Sequence, residues 1–126
     1  MHIDSTMIHP ELRRAAALIR FFWPSFTERK YRLAKVANEK LKGKCRSPLA
    51  YEQIIIPRQD NSQLRLCIYS PLQPREDVPG LLWLHGGGYA LGTPEQDEQF
   101  IQRFIHASNC VVVAPDYRLS IDAPYP

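Results

Sequence analysis

Two short apolar runs constrain the architecture of this chain more than any other feature. "LLWLH" (81–85) and "CVVVAPDY" (110–117) are continuous rather than alternating, the pattern of strands covered on both faces. Between them, residues 94–108 have helical spacing. Phe100, Phe104 and Ile105 are apolar, Thr93 is placed to cap, and acidic residues fill the first turn, where the helix dipole favours them. Strand, helix, strand with both strands buried predicts a right-handed βαβ unit and hence a parallel sheet. The fold class is α/β.

Upstream, "YEQIIIP" (51–57) and "QLRLCIYS" (63–70) flank the turn residues "QDNS", so an antiparallel hairpin is expected, with Leu64, Leu66 and Ile68 alternating against polar partners. About four strands result. Residues 1–48 read as two helices. The first, over 10–22, starts at Pro10, stops before Pro24 and aligns Leu12, Ala16, Ile19 and Phe22 on one stripe. The second runs from Thr27 to Gly43, with Tyr31, Ala34, Leu41 and Val36 expected inward, and "FFW" (21–23) is expected in a core. The division expected is a helical, cap-like segment over 1–48 and a sheet-forming unit over 49–126.

Charge separates the same two parts. Residues 1–48 carry a net +7 and residues 49–126 a net −4, giving +3 over 126 residues. The basic half is read as solvated helix faces, with no nucleic-acid or membrane partner. The longest early apolar stretch, "AAALI", is followed by Arg20 and falls far short of the roughly 20 residues a membrane span needs. Cys45, Cys67 and Cys110 lack CxxC spacing, so free thiols and a cytoplasmic location are expected. No metal site and no organic cofactor are indicated.

The first strand of the parallel unit runs straight into Gly86-Gly87-Gly88. In α/β proteins ligands bind where a parallel strand hands over to a helix. Glycines there let backbone amides approach an anion with no side chain in the way. Phosphate motifs fit poorly. Gly87 and Gly92 have the spacing of a P-loop, but Thr93 follows Gly92 at once and the lysine is missing; GxGxxG fails at Leu91. A tight turn without a ligand is the plain alternative.

His85-Gly86-Gly87-Gly88 matches the HGGG-type loop after strand three of esterases and lipases. With it, "VVVAPDYRLSIDAPYP" (111–126) resembles strand four and the following loop of the hormone-sensitive-lipase-like branch of the α/β-hydrolases. That family usually continues Asp-Tyr-Arg-Leu with Ala-Pro-Glu. This chain has Ser120, Ile121 and Asp122, then Pro124-Tyr125-Pro126. The resemblance implies an incomplete α/β-hydrolase fold with strand order 1-2-4-3, its third strand an exposed edge and one sheet face bare of helices. It also implies a carboxylic-ester hydrolase using serine acyl transfer, with Gly86, Gly87 and Gly88 forming the oxyanion hole. Of these, the amides of Gly87 and Gly88 would donate and Gly86 would shape the turn. His85 would hold the loop, Asp116 and Arg118 would brace it as a charge pair, and Tyr89 is a candidate pocket wall or simple packing.

The attacking half of such a site is missing. No Gly-x-Ser-x-Gly occurs, because Ala90 stands midway between Gly88 and Gly92, the two glycines four apart. The expectation is therefore an N-terminal portion that is inactive alone. A small-molecule ester would be its substrate once the missing half is supplied, and the open edge invites self-association. A non-catalytic module cradling a ligand carboxylate is the alternative.

Overall fold

The computed structural model of the chain describes residues 4–22, 24–25 and 27–124. A four-stranded sheet of order β1-β2-β4-β3 is built from β1 (Ala50–Pro57), β2 (Gln63–Ser70), β3 (Gly80–Leu82) and β4 (Val111–Asp116). β1 and β2 form the expected antiparallel hairpin, β2 pairs antiparallel with β4, and β3 lies parallel to β4 at the edge. The hairpin closes where Asn61 takes a left-handed φ of 60° and Arg58 N donates to Ser62 O. β3 is shorter than its apolar run, although Trp83 N still donates to Val113 O at 2.9 Å.

The helix between the parallel strands is α3 (Glu98–Ser108), preceded by a 3-10 turn at Pro94–Asp97. Thr93 is extended and makes no side-chain capping bond; Pro94 tightens the first turn instead. Asn109 ends α3 in the left-handed conformation, with its amide on Ile105 O. α3 covers one sheet face through Ile101 and Ile105, which meet Cys67, Tyr69, Val112 and Ala114. Phe100 and Phe104 turn outward instead and flank the Trp83 ring.

Register explains why β2 buries residues other than those its pattern suggests. Leu66 pairs with Ile54 and Pro115, and Ile68 with Val113, which pairs in turn with Leu82. These residues share the face opposite α3. No helix among the described residues covers it, so Leu64, Leu66 and Ile68 are only half-buried, and Leu82 is 65% exposed.

The N-terminal helices form as expected, as α1 (Arg13–Phe22) and α2 (Glu28–Glu39), but they bury nothing. Leu12, Ile19, Phe21, Phe22 and Val36 are all more than half exposed, while Ala16, Tyr31, Ala34 and Leu41 are half-buried. The expected core role of Phe21 and Phe22 is thus corrected, and Trp23 lies outside the described residues. Amphipathic spacing makes a stripe; a partner surface must bury it, and here the stripes are at most half-covered. Ion pairs tie this region down instead: Lys35 to Asp122, and Lys42 to Asp116 at 3.0 Å. No helix among the described residues is long and apolar enough to cross a membrane.

Candidate active site

Gly86 to Gly92 form a loop in which the carbonyls of Gly86 and Gly87 are held by hydrogen bonds. Gly86 O accepts from Gln96 Nε2 at 3.1 Å and from His85 Nδ1 at 2.9 Å. A carbonyl can only accept, so the Nδ1 of His85 carries the proton. Gly87 O accepts from the amides of Ala90 (3.2 Å) and Leu91 (3.1 Å). In a trans peptide the C=O and the following N–H point in opposite directions. Fixing Gly86 O therefore directs the Gly87 N–H away from Gln96, and fixing Gly87 O directs the Gly88 N–H away from the turn. Among the described residues, neither amide meets an acceptor. The Gly86 amide differs: it donates to Asp97 Oδ2 at 3.3 Å. Of the three glycines expected to form the oxyanion hole, Gly86, expected to shape the turn, thus has its amide engaged.

Two glycines are required by space as well as by φ. At Gly87 (φ +121°) a Cβ would stand 2.0 Å from Leu91 O; at Gly92 (φ +112°) it would stand 2.3 Å from Gly86 O and 2.5 Å from His85 Nδ1. Tyr89 also adopts a left-handed φ, 61°, with its ring 75% exposed and its carbonyl accepting from Ser120 N at 2.7 Å. A cleft of about 580 Å³ opens beside the loop, lined by Leu84, His85, Gly86, Gly88, Tyr89 and Tyr117.

His85 is buried, 3% exposed, and stacks on Tyr117 with ring centroids 4.0 Å apart. The Tyr117 hydroxyl donates back to His85 O, and burial, with Tyr89 and Asp97 nearby, pushes its pKa up. Asp97 Oδ2 also accepts from the Trp83 indole at 3.0 Å. Gln96, Asp97 and Tyr117 are thus parts of the loop's support that sequence spacing alone did not mark.

Asp116 and Arg118 do not pair with each other, which corrects the bracing role expected of them. The β2–β4 register sets Asp116 directly opposite Arg65, and Arg65 donates to it from Nε (3.1 Å) and Nη2 (3.0 Å). Arg118, beyond the end of the strand, reaches Asp60 in the hairpin turn at 2.8 Å. Arg65 also grips Glu95 with both nitrogens, at 2.5 and 3.1 Å. Glu95 accepts from Gly43 N (2.8 Å) and the Tyr51 hydroxyl (3.2 Å) as well. Burial alone would raise the Glu95 pKa; the Arg65 and Gly43 bonds outweigh it and hold it at about 2. Glu98 accepts from the amides of Arg46 and Ser47. No cluster of three or more His, Cys, Asp or Glu side chains suited to a metal occurs among the described residues.

A sequence profile of the α/β-hydrolase fold matches residues 81–126. An AB hydrolase superfamily protein of Schizosaccharomyces pombe is 36% identical over 80 residues, 60% of this chain and 24% of that protein. An acetyl-hydrolase of Streptomyces hygroscopicus is 29% identical over 121 residues, 95% of this chain and 38% of its own length. Among solved structures, an esterase from Pyrobaculum calidifontis superposes with a TM-score of 0.63 at 26% identity, over 89% of this chain and 37% of that one. The chain therefore spans about a quarter to two fifths of the length of these relatives. The profile match, the strand order and the glycine loop agree: the chain has an incomplete α/β-hydrolase fold and is similar to esterases built on it.

Proposed function

We propose that loop 86–92 is the oxyanion-binding half of a carboxylic-ester hydrolase site. The observation that carries the reading is the pair of amides at Gly87 and Gly88 that meet no acceptor among the described residues, beside a cleft with an aromatic wall. Amides fixed in advance stabilise the negative oxygen that develops when a nucleophile attacks an ester carbonyl, because no reorganisation is needed at the moment of reaction. One such donor is worth about 3 kcal/mol. The serine, base and orienting acid that complete acyl transfer do not occur in the required motif within the 126 residues, so this chain alone is inactive and an ester is its substrate only in company with those groups.

Two measurements test the proposal. In ¹⁵N–¹H correlation spectra with added acetate, whose carboxylate oxygen stands in for the oxyanion, the Gly87 and Gly88 amides are expected to shift saturably. Uniform small drifts across the whole chain would defeat the assignment. With p-nitrophenyl acetate, the purified chain is expected to release nitrophenol no faster than buffer, and saturable turnover would overturn the inactive reading.

We also propose self-association through the β3 edge and the bare sheet face, where Leu82 and Leu84 are 65% and 64% exposed. Sedimentation is expected to show mass rising with concentration, and Leu84→Lys to suppress it. A monomer at every concentration would refute this.

A further inference from the structure

We infer that Gln96 and Asp97 are positioning residues that decide which amides of the glycine loop are presented to a ligand. The inference rests on the oxyanion reading above. The peptide units 86–87 and 87–88 are flanked by glycines, and no Cβ resists their rotation at Gly86 or Gly88. Locally, His85 Nδ1 restrains that rotation through its bond to Gly86 O at 2.9 Å. A second constraint, from outside the loop, comes from the 3-10 turn at Pro94–Asp97.

Gln96 Nε2 donates to Gly86 O at 3.1 Å, and by peptide planarity that bond sets the opposite direction for the Gly87 N–H. Asp97 acts on the preceding unit. Its Oδ2 accepts from Gly86 N at 3.3 Å while gripping the Trp83 indole at 3.0 Å. Trp83 is itself held against Phe100 and Phe104 of α3, so the carboxylate has a rigid anchor. Two consecutive side chains thus hold one amide back and turn the next one outward. Neither would touch the substrate.

The test uses the full chain with acetate as probe, following the glycine amides by ¹⁵N–¹H correlation. In the wild type, Gly87 and Gly88 respond and Gly86 stays silent. Gln96 is exposed, so Gln96→Ala leaves the core intact; its acetate affinity is expected to fall about fivefold, the scale of one hydrogen bond, with an unchanged melting midpoint. In Asp97→Ala, Gly86 should join the responding amides and its hydrogen exchange should quicken at least tenfold. Asp97→Asn, which keeps one oxygen acceptor, provides a milder version should the alanine variant not fold. Variants that bind acetate as the wild type does, through the same two amides and with Gly86 exchange unchanged, would overturn the inference. A wild type whose glycines ignore acetate would defeat the oxyanion reading instead. The positioning roles would then be judged on Gly86 exchange and the Gly87 ¹⁵N shift, and no change in either variant would end them.

Discussion

Arg65→Met is expected to lower the unfolding free energy by about 4 kcal/mol, read as a reduced urea midpoint with an unchanged slope. Arg65 is the shared cation of two carboxylates, Glu95 with its side chain 1% exposed and Asp116 at 12%. Methionine fills much the same space, so packing is largely kept while the charge is lost. Asp116 retains Lys42 at 3.0 Å. Among the described residues Glu95 then retains neutral donors alone, the Gly43 amide, the Tyr51 hydroxyl and the Cys67 thiol. A buried carboxylate stripped of its cation loses the attraction that offset its desolvation. The loss is a large part of the roughly 5–15 kcal/mol by which folded domains are stable.

The same variant should change how stability depends on pH. In the wild type, Glu95 is held at about 2 against an ordinary 4.5. A lowered carboxyl pKa contributes stability that is fully present above the unfolded value and is lost as pH falls from about 4.5 through about 2. Its size is about 3 kcal/mol. Without Arg65, burial prevails and the folded pKa moves above the unfolded one, so protonating Glu95 becomes favourable to folding. The gap between wild type and Arg65→Met is therefore expected to narrow steadily from pH 5 towards pH 2. A gap as wide at pH 3 as at pH 7 would show that the loss comes from packing and not from charge.

What could be read from the sequence divides along the range of the interactions. The glycine loop was legible because its requirement is local: a positive φ and an absent Cβ write themselves as glycine at 87 and 92. The parallel βαβ unit and the hairpin followed from two continuous apolar runs and one alternating strand, and the strand order from the family resemblance. Asp116 and Arg118 misled, since two charges close in sequence suggest a pair, whereas register gave Asp116 to Arg65 from a different strand. Glu95 reads in the sequence only as one of the acidic residues of a helix's first turn, yet it is the buried centre of a charge network. Gln96 and Asp97 left no mark at all. A side chain that pins a carbonyl ten residues away has no periodicity to betray it. The N-terminal stripes were real as patterns, but periodicity cannot say which surface will cover a helix.

Gly87→Ala should remove the loop's geometry altogether, at about 3 kcal/mol or more in stability, together with every acetate response at Gly87 and Gly88. Two independent obstacles meet at this residue. The first is a φ of +121°, where a side chain is strained whatever space surrounds it. The second is overlap: the new methyl would stand 2.0 Å from Leu91 O and 2.5 Å from its carbon, both main-chain atoms with no rotamer to escape into. Relief requires the turn to open, yet it is closed by the bonds from Ala90 N and Leu91 N to Gly87 O, the contact that orients the Gly88 amide. Relieving the clash therefore destroys the presentation of the donor. The neighbouring glycines calibrate the effect. Gly88→Ala keeps a φ of +62° but meets open space, so about 1 kcal/mol is expected, with the amide retained and acetate still bound. Gly86→Ala meets neither obstacle and should be nearly silent. The order of damage by thermal melting is then position 87 far above 88, and 88 above 86. A Gly87→Ala protein that melts with Gly86→Ala and still binds acetate would mean that the loop holds its shape by some means other than the contacts at Leu91.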